Sequence, residues 1–97
     1  MSIAHLNFYY RMKKKKISWQ VYLLRCADGT LYGGVTTDLE RRVGEHNGSR
    51  LGAKYTSGRR PVELVYARGF ADRSSALKEE SRIKKLPRKE KLKLIQD

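Results

Sequence analysis

The chain has 97 residues, with 22 Lys and Arg against 10 Asp and Glu and a formal net charge of +12. This length corresponds to one domain, without room for a large substrate pocket and a separate binding domain. The charge indicates polyanionic partners and salt-sensitive binding, the alternative being an inert solvated surface. One cysteine, Cys26, excludes an internal disulfide and a multi-cysteine zinc site. Its expected burial in a strand fits a reducing compartment, and no apolar run reaches the ~20 residues of a membrane span. We therefore expect a cytoplasmic protein.

Residues 1–18 differ in composition from the rest of the chain. Scattered apolar residues are followed by four consecutive lysines at positions 13–16. A signal peptide has the opposite order, with charge before the apolar stretch. We expect a basic, flexible tail over 1–18 that tethers polyanions, and a folded domain over 19–97. A natural start at Met12 is a further hypothesis, because the lysine run leads directly into the first strand.

Two strands joined by a tight turn are predicted next. Residues 19–26 and 31–36 are rich in aromatic and branched side chains, and Asp28-Gly29 is a turn signal. A two-residue loop pairs Tyr22 with Val35 and places the two tyrosines, Tyr22 and Tyr32, on opposite faces. A three-residue loop with a left-handed Gly29 pairs Tyr22 with Gly34, so that both phenols share one face beside a glycine. We favour the three-residue loop.

A helix is predicted to follow the hairpin, from a capping box at Thr37 and Glu40 to about residues 47–48. At ~100° per residue, Arg42 and His46 lie within about 60° of the buried direction. Arg42 should therefore lie against the body of the domain. The residues predicted to point outward are Arg41 and Glu45.

The loop over residues 48–60 combines cations with an aromatic residue, a pattern suited to phosphate contacts and base stacking. A solvated loop is the alternative. The candidate nucleic-acid-binding residues are Lys54, Tyr55, Arg59 and Arg60.

The remaining sequence predicts one strand and two helices. Pro61 opens an edge strand that runs to Phe70. A helix capped by Asp72 or Ser74 follows and ends at Leu86, and a short final helix begins at Pro87. The residues predicted to share one side of the strand are Val62, Leu64 and Tyr66.

Glu80 is an anomaly in the second helix, because it falls near the centre of an apolar arc. A carboxylate there is costly unless it is paired, protonated or bound to metal. One reading is a buried salt bridge to Arg42 or a lysine. The other reading is a ligand for a hard divalent cation. The apolar residues of the arc are Ala76, Leu77, Ile83 and Leu86.

These side chains suit the hydrolysis of a phosphodiester. Arg42 offers a planar fork that matches phosphate, and Glu80 could hold Mg²⁺, which often takes only one or two carboxylates plus phosphate and water. Tyr22 could act as a general base, with Tyr32 or His46 orienting the water. A lone tyrosine is more often a packing residue, but two on one face favour the chemical reading.

The motifs resemble those of the GIY-YIG nuclease superfamily. Residues 21–23 (Val-Tyr-Leu) and 32–34 (Tyr-Gly-Gly) stand where the two signature triplets are expected. Residues 39–43 with His46 are similar to the family's arginine-bearing helix, and residues 76–80 to its glutamate-bearing helix. The loop sequence over residues 52–61 is similar to the small stand-alone bacterial branch.

The resemblance covers residues 19–95 and implies an α/β fold, a three-stranded antiparallel sheet flanked by two or three helices in the order β-β-α-β-α-α. It also implies cleavage dependent on one Mg²⁺ or Mn²⁺ at Glu80, with Arg42 catalytic, Tyr22 as base and Tyr32 assisting. Val21 replaces the usual glycine of the first triplet, and Gly33 stands where an apolar residue or threonine is usual. The added freedom at Gly33 should loosen the site by a few tenths to ~1 kcal/mol.

Three functions remain open from the sequence. The first is a metal-dependent endonuclease acting on DNA rather than RNA, with a structure-directed role in repair or recombination. The second is a nucleic-acid-binding module that does not cut, and the third is a protein-interaction domain of a repair complex. A nuclease would lose cleavage on removal of Glu80 and keep its affinity, whereas a binder would have no metal requirement.

Overall fold

The computed structural model describes residues 18–95, so the predicted N-terminal tail lies outside the described residues except for Ser18. The predicted α/β order is present, with one extra single-turn helix in the loop that follows the first long helix. The elements are β1 (Trp19–Arg25), β2 (Leu31–Thr36), α1 (Leu39–Gly48), α2 (Lys54–Ser57), β3 (Glu63–Phe70), α3 (Arg73–Lys84) and α4 (Arg88–Leu94).

The three strands form one antiparallel sheet in the order β2-β1-β3, which makes β2 and β3 the edge strands. Alternate residues of β1 contribute side chains to two apolar clusters, one on each face of the sheet. Tyr22 and Leu24 pack with Leu39 of α1. Val21 and Leu23 pack with Ile83 of α3 and with the end of α4. The sheet is therefore covered on both faces, and β2 forms one open side between the two layers.

The β1–β2 hairpin has the predicted three-residue loop. Tyr22 pairs with Gly34, and Leu24 pairs with Tyr32. The Cys26 N–H donates to the Thr30 carbonyl at 2.8 Å. Gly29 takes φ +84°, a conformation that glycine adopts without steric cost. This register is confirmed, and it places Tyr22 opposite a residue without a side chain.

Strand β3 departs from the predicted alternation at a bulge. Leu23 pairs with Tyr66 while Leu24 pairs with Leu64, so Val65 is an extra residue on β3. Leu64 packs in the cluster that contains Leu39. Tyr66 packs in the opposite cluster with Val65. The prediction that Leu64 and Tyr66 share one side is therefore wrong, because a bulge changes the face of the residues that follow it.

The helix boundaries agree with the sequence apart from two shifts. Asp38, not Thr37, caps α1, and its carboxylate accepts the Arg41 N–H at 3.1 Å. Asp72, one of the two predicted caps, accepts the Ser75 N–H at the start of α3. That helix ends two residues before its predicted end. The final helix follows Pro87 as expected.

Gly34 makes the position of the Tyr22 ring possible. A Cβ atom at residue 34 would lie 2.5 Å from Tyr22 Oη and 2.7 Å from Tyr22 Cζ, closer than atoms can pack. The phenol therefore crosses the face of β2 through space that a side chain would fill.

We predict that Gly34→Ala lowers the free energy of unfolding by about 1–3 kcal/mol, because the added methyl group forces the Tyr22 ring to move. Urea denaturation monitored by circular dichroism measures the loss. Gly44→Ala is the matched control, since no atom lies within 4 Å of the new Cβ and alanine favours the helix by about 0.5–1 kcal/mol. An equal response of both variants would contradict the packing role of Gly34.

Candidate active site

Tyr22 and His46 form a buried hydrogen-bonded pair at the centre of the site. Tyr22 Oη lies 2.9 Å from His46 Nε2, and both side chains are almost completely inaccessible to solvent. Tyr22 comes from the central strand, and His46 comes from the inward side of α1, as the helical periodicity predicts. The sheet and α1 therefore join two titratable groups in the core.

The second ring nitrogen of His46 is held by the segment that contains α2. His46 Nδ1 lies 2.8 Å from Thr56 Oγ1 and 3.3 Å from the Ala53 backbone nitrogen. When Nδ1 carries the proton, it donates to the Thr56 hydroxyl, which donates to the Ala53 carbonyl at 2.9 Å. Nε2 then accepts from Tyr22. In the other tautomer, Nδ1 accepts and Nε2 donates to the Tyr22 oxygen.

Burial keeps both members of the pair uncharged at neutral pH. Burial raises the pKa of Tyr22 to about 12, and the nearby Arg42 guanidinium offsets part of this rise. Burial, together with the Arg42 charge, lowers the pKa of His46 to about 4. The pair is therefore a neutral phenol and a neutral imidazole over most of the pH range in which proteins fold.

Arg42 is fixed against the domain by two contacts of one nitrogen. Its Nη1 donates to Glu45 Oε1 at 2.8 Å and to the Leu51 carbonyl at 2.6 Å. Arg41 Nη1 donates to the other Glu45 oxygen, also at 2.8 Å. The sequence predicts that Glu45 points outward into solvent. Its side chain is instead only 13% exposed, because the two arginines cover it. Glu45 thus orients the guanidinium beside Tyr22.

Tyr32 connects the buried pair to the surface. Its ring meets the edge of the His46 ring at 5.3 Å between centroids and stacks on Tyr55 at 5.6 Å. The Arg59 guanidinium lies 3.9 Å from the Tyr55 ring centre and bonds Asp28 Oδ2 at 3.0 Å. The Tyr55 ring therefore contacts an aromatic ring and a cation within the chain.

The cations of the 48–60 loop have different surroundings. Arg60 donates from Nε to the His46 carbonyl at 2.7 Å and from Nη2 to the Ser49 carbonyl at 2.5 Å. These bonds satisfy carbonyl groups at the end of α1. Lys54 is exposed at the start of α2. Of the four candidate binding residues, the structure brings Tyr55 and Arg59 together and ties Arg60 to the helix end.

Glu80 lies on α3, the helix that packs on the opposite face of the sheet from α1. Its side chain is 18% exposed and pairs with Lys84 Nζ at 3.2 Å, so an ion pair to a lysine is present, although Lys84 is 55% exposed and the pair is not buried as predicted. The negative charge of Glu80 contributes to raising the pKa of Tyr22, after burial and the neighbouring Tyr32. The adjacent Glu79 is instead held by Arg82 and Arg68.

Within the described residues, Glu80 fits a divalent cation only if water or phosphate oxygens complete the coordination. Among residues 18–95 there is no group of three or more His, Cys, Asp or Glu that could hold a metal ion. Mg²⁺ is commonly bound by one or two carboxylates together with water and phosphate oxygens. One carboxylate beside the predicted phosphate site is compatible with that chemistry.

Thr56 and Glu45 are site residues that the sequence did not single out. Thr56 is buried and holds His46, while Glu45 holds Arg42. Glu45 could have been found from its i+3 spacing to Arg42, which is a standard helical ion pair. Thr56 gave no such signal, because its contact depends on how the loop folds back on α1.

Residues 18–93 match the model of the GIY-YIG catalytic domain. The chain belongs to the GIY-YIG family. A UPF0213 protein of Desulfotalea psychrophila is 51% identical over 81 residues, which cover 84% of this chain and 74% of that protein. A UPF0213 protein of Oceanobacillus iheyensis is 54% identical over 76 residues, which cover 78% of this chain and 87% of that protein.

Solved structures of the same group share the fold. The solution NMR structure of a UPF0213 protein from Bacillus halodurans matches with a TM-score of 0.51 at 43% identity, over 78% of this chain and 80% of that chain. The family assignment implies a nuclease-type domain that interacts with nucleic acid, and GIY-YIG nucleases generally use a divalent metal. Within residues 18–95, no helix is long and apolar enough to cross a membrane.

The lowered pKa of His46 predicts a loss of stability in mild acid. An unfolded His46 titrates near 6.5, whereas the folded one titrates near 4, so the unfolded chain binds more protons between these values. The contribution of His46 to the free energy of unfolding should be constant above pH 6.5. It should fall by about 2 kcal/mol as the pH is lowered to 5.

Urea unfolding at pH 7.5 and at pH 5 measures this dependence. His46→Gln keeps a polar side chain but cannot titrate, so its stability should change less between the two pH values. All other titratable groups are common to both proteins. Equal changes in the wild type and the variant would show that His46 does not fold in its neutral, buried state.

Proposed function

We propose that the protein is a metal-dependent endonuclease that hydrolyses phosphodiester bonds in DNA, in repair or recombination. The observation that carries this proposal is the buried Tyr22–His46 hydrogen bond, whose phenol experiences the charges of both Arg42 and Glu80. A phenol and an imidazole in contact can move a proton, a guanidinium binds phosphate, and a carboxylate can hold a hard cation. Hydrolysis of a phosphodiester needs these three functions together.

The proton movement follows from the neutral state of the pair. A neutral Tyr22 accepts a proton from water only if it passes its own proton on at the same time. His46 Nε2 lies 2.9 Å away and receives that proton in the tautomer whose Nδ1 donates to Thr56. The hydroxide so formed attacks phosphorus, and one phosphorus–oxygen bond breaks. The leaving oxygen takes a proton from solvent, and the imidazolium returns its proton to solvent through Tyr22, because burial disfavours its charge.

Arg42 and Glu80 act on the phosphate. Glu45 and the Leu51 carbonyl hold the guanidinium in place before the substrate arrives, so its charge needs little reorganisation. Glu80 would hold Mg²⁺ or Mn²⁺ with water and phosphate oxygens, and the bound ion would polarise the phosphate and stabilise the leaving oxygen. Release of Lys84 from Glu80 frees the carboxylate for this role.

A nucleic-acid-binding module without cleavage is the second candidate. The raised pKa of Tyr22, caused first by burial, favours this alternative because a deeply buried phenol exchanges protons poorly with bulk water. In that case Lys54 and its neighbours, together with the overall charge, carry the affinity, and neither metal nor the Tyr22 hydroxyl affects it.

Cleavage assays with matched variants separate the two candidates. We expect Tyr22→Phe, Arg42→Ala and Glu80→Gln each to reduce cleavage of labelled DNA about 100-fold or more, with binding retained. The controls are Arg41→Ala, which removes the neighbouring arginine on Glu45, and Tyr66→Phe, which removes a partly buried phenol on the opposite face. Duplex, branched and single-stranded DNA and RNA should be tested with Mg²⁺ and with Mn²⁺.

Metal-dependent cleavage that survives in the controls and disappears in the three site variants supports the nuclease. Binding without cleavage of any substrate, with affinity unchanged in Tyr22→Phe and Glu80→Gln, supports the binding module instead.

Thr56 is expected to act as a positioning residue through His46. Thr56→Val removes the hydroxyl that fixes the imidazole, so kcat should fall about 10-fold or more while KM changes little. Thr56→Ser keeps the hydroxyl and should restore most of kcat. If valine and serine give the same kcat, the hydroxyl does not position His46, and a purely structural role for Thr56 would account for its burial.

A further inference from the structure

A groove of about 170 Å³ lies along the open edge of β2, next to the candidate active site. Tyr32 forms part of one wall, and its ring also contacts His46. Lys84 and Lys91 line the groove from α3 and α4. Gly33 contributes no side chain, so this stretch of the β2 edge stays open.

The groove shares Tyr32 with the candidate active site and carries positive charge at its helical wall. Lys84 is 55% exposed, and its contact with Glu80 keeps the ammonium at the end of α3 beside the candidate metal ligand. Lys91 lies on α4, which continues the same wall. Residues 84–93 contain six cations and one carboxylate, but only these two lysines line the groove.

The loop that the sequence favours for phosphate contacts is less available. Arg59 is held by Asp28 and by the Tyr55 carbonyl, at 3.0 and 2.8 Å. Arg60 is held by the carbonyl groups at the end of α1. Binding phosphate through either arginine would break contacts that support the fold, whereas Lys91 already lines an open groove.

We propose that this groove is the track for one strand of the nucleic acid, with Lys84 and Lys91 contacting consecutive parts of its phosphate backbone. The inference rests on the proposed function, because the groove would hold the same nucleic-acid substrate and guide it to the same tyrosines. We take a single strand as the occupant, because a groove of about 170 Å³ holds only a short stretch of one phosphate backbone. Charge complementarity supplies the affinity, and the contacts carry no base specificity.

The test is binding of a labelled single-stranded oligonucleotide in EDTA, where cleavage and metal binding do not contribute. Fluorescence anisotropy over a series of salt concentrations gives the slope of log affinity against log salt. Each phosphate contact contributes about 0.7 to this slope for a single strand. Lys84→Gln and Lys91→Gln should each reduce the slope by about that amount and weaken binding.

Lys85→Gln and Lys89→Gln are the matched controls, because they remove the same charge from exposed lysines that do not line the groove. These two variants should keep the wild-type slope. Equal effects of all four substitutions would overturn the groove in favour of a diffuse positive surface. Unchanged binding in Lys84→Gln and Lys91→Gln would overturn it as well.

The outcomes also separate this inference from the proposed function. If the wild type cuts DNA with metal and the groove variants bind like the controls, only the groove proposal fails. If the wild type neither binds nor cuts any nucleic acid, the proposed function fails and the groove proposal fails with it.

Discussion

The hydrogen bond between Tyr22 and His46 is the constraint on which the site depends. It joins the central strand to α1 through a contact of 2.9 Å that solvent does not reach. A polar pair in this position is tolerated only because each group satisfies the other and the second imidazole nitrogen finds Thr56. The bond also requires Gly34, whose missing side chain provides the space for the phenol. Sheet register, helix position and loop conformation are thus coupled at one point.

The electrostatics of the site follow from this burial. Burial keeps the phenol protonated and the imidazole neutral, so the pair carries no net charge beside Arg42. Glu45 balances the two arginines of α1 at the surface of the site, and Lys84 balances Glu80 on the other layer. Arg42 and Glu80 therefore each have a partner of opposite charge within the chain. Substrate binding would exchange these partners rather than introduce charge into an empty cavity.

The parts of the fold that depend on local chemistry could be predicted from the sequence. The hairpin register follows from the requirement for a left-handed Gly29, and the inward side of α1 follows from helical periodicity. The cap lies at Asp38 rather than Thr37, and the Asp38 carboxylate accepts the Arg41 N–H. The bulge at Val65 was not predictable, since it arises from pairing between strands that are far apart in the chain.

The surroundings of the loop cations could not be predicted for the same reason. Arg59 meets Asp28 across 31 positions, and Arg60 reaches the end of α1 across 14. A list of basic residues in a loop does not distinguish a cation that supports the fold from one that faces a partner. That distinction requires knowing which carbonyl and carboxylate groups the folded chain leaves nearby.

A site next to an open sheet edge would solve a problem of size for the proposed chemistry. A domain of this length buries only one modest core, and an enclosed pocket within it would remove the apolar contacts that hold the sheet together. Here the proposed acid–base pair, Tyr22 and His46, belongs to the core itself. Tyr32 and Glu80 continue the candidate site towards the open side of β2. The substrate can then remain outside the protein, with one phosphate brought to the edge. The same residues that stabilise the fold are therefore the ones available for chemistry, and a substitution at either Tyr22 or His46 tests both roles together.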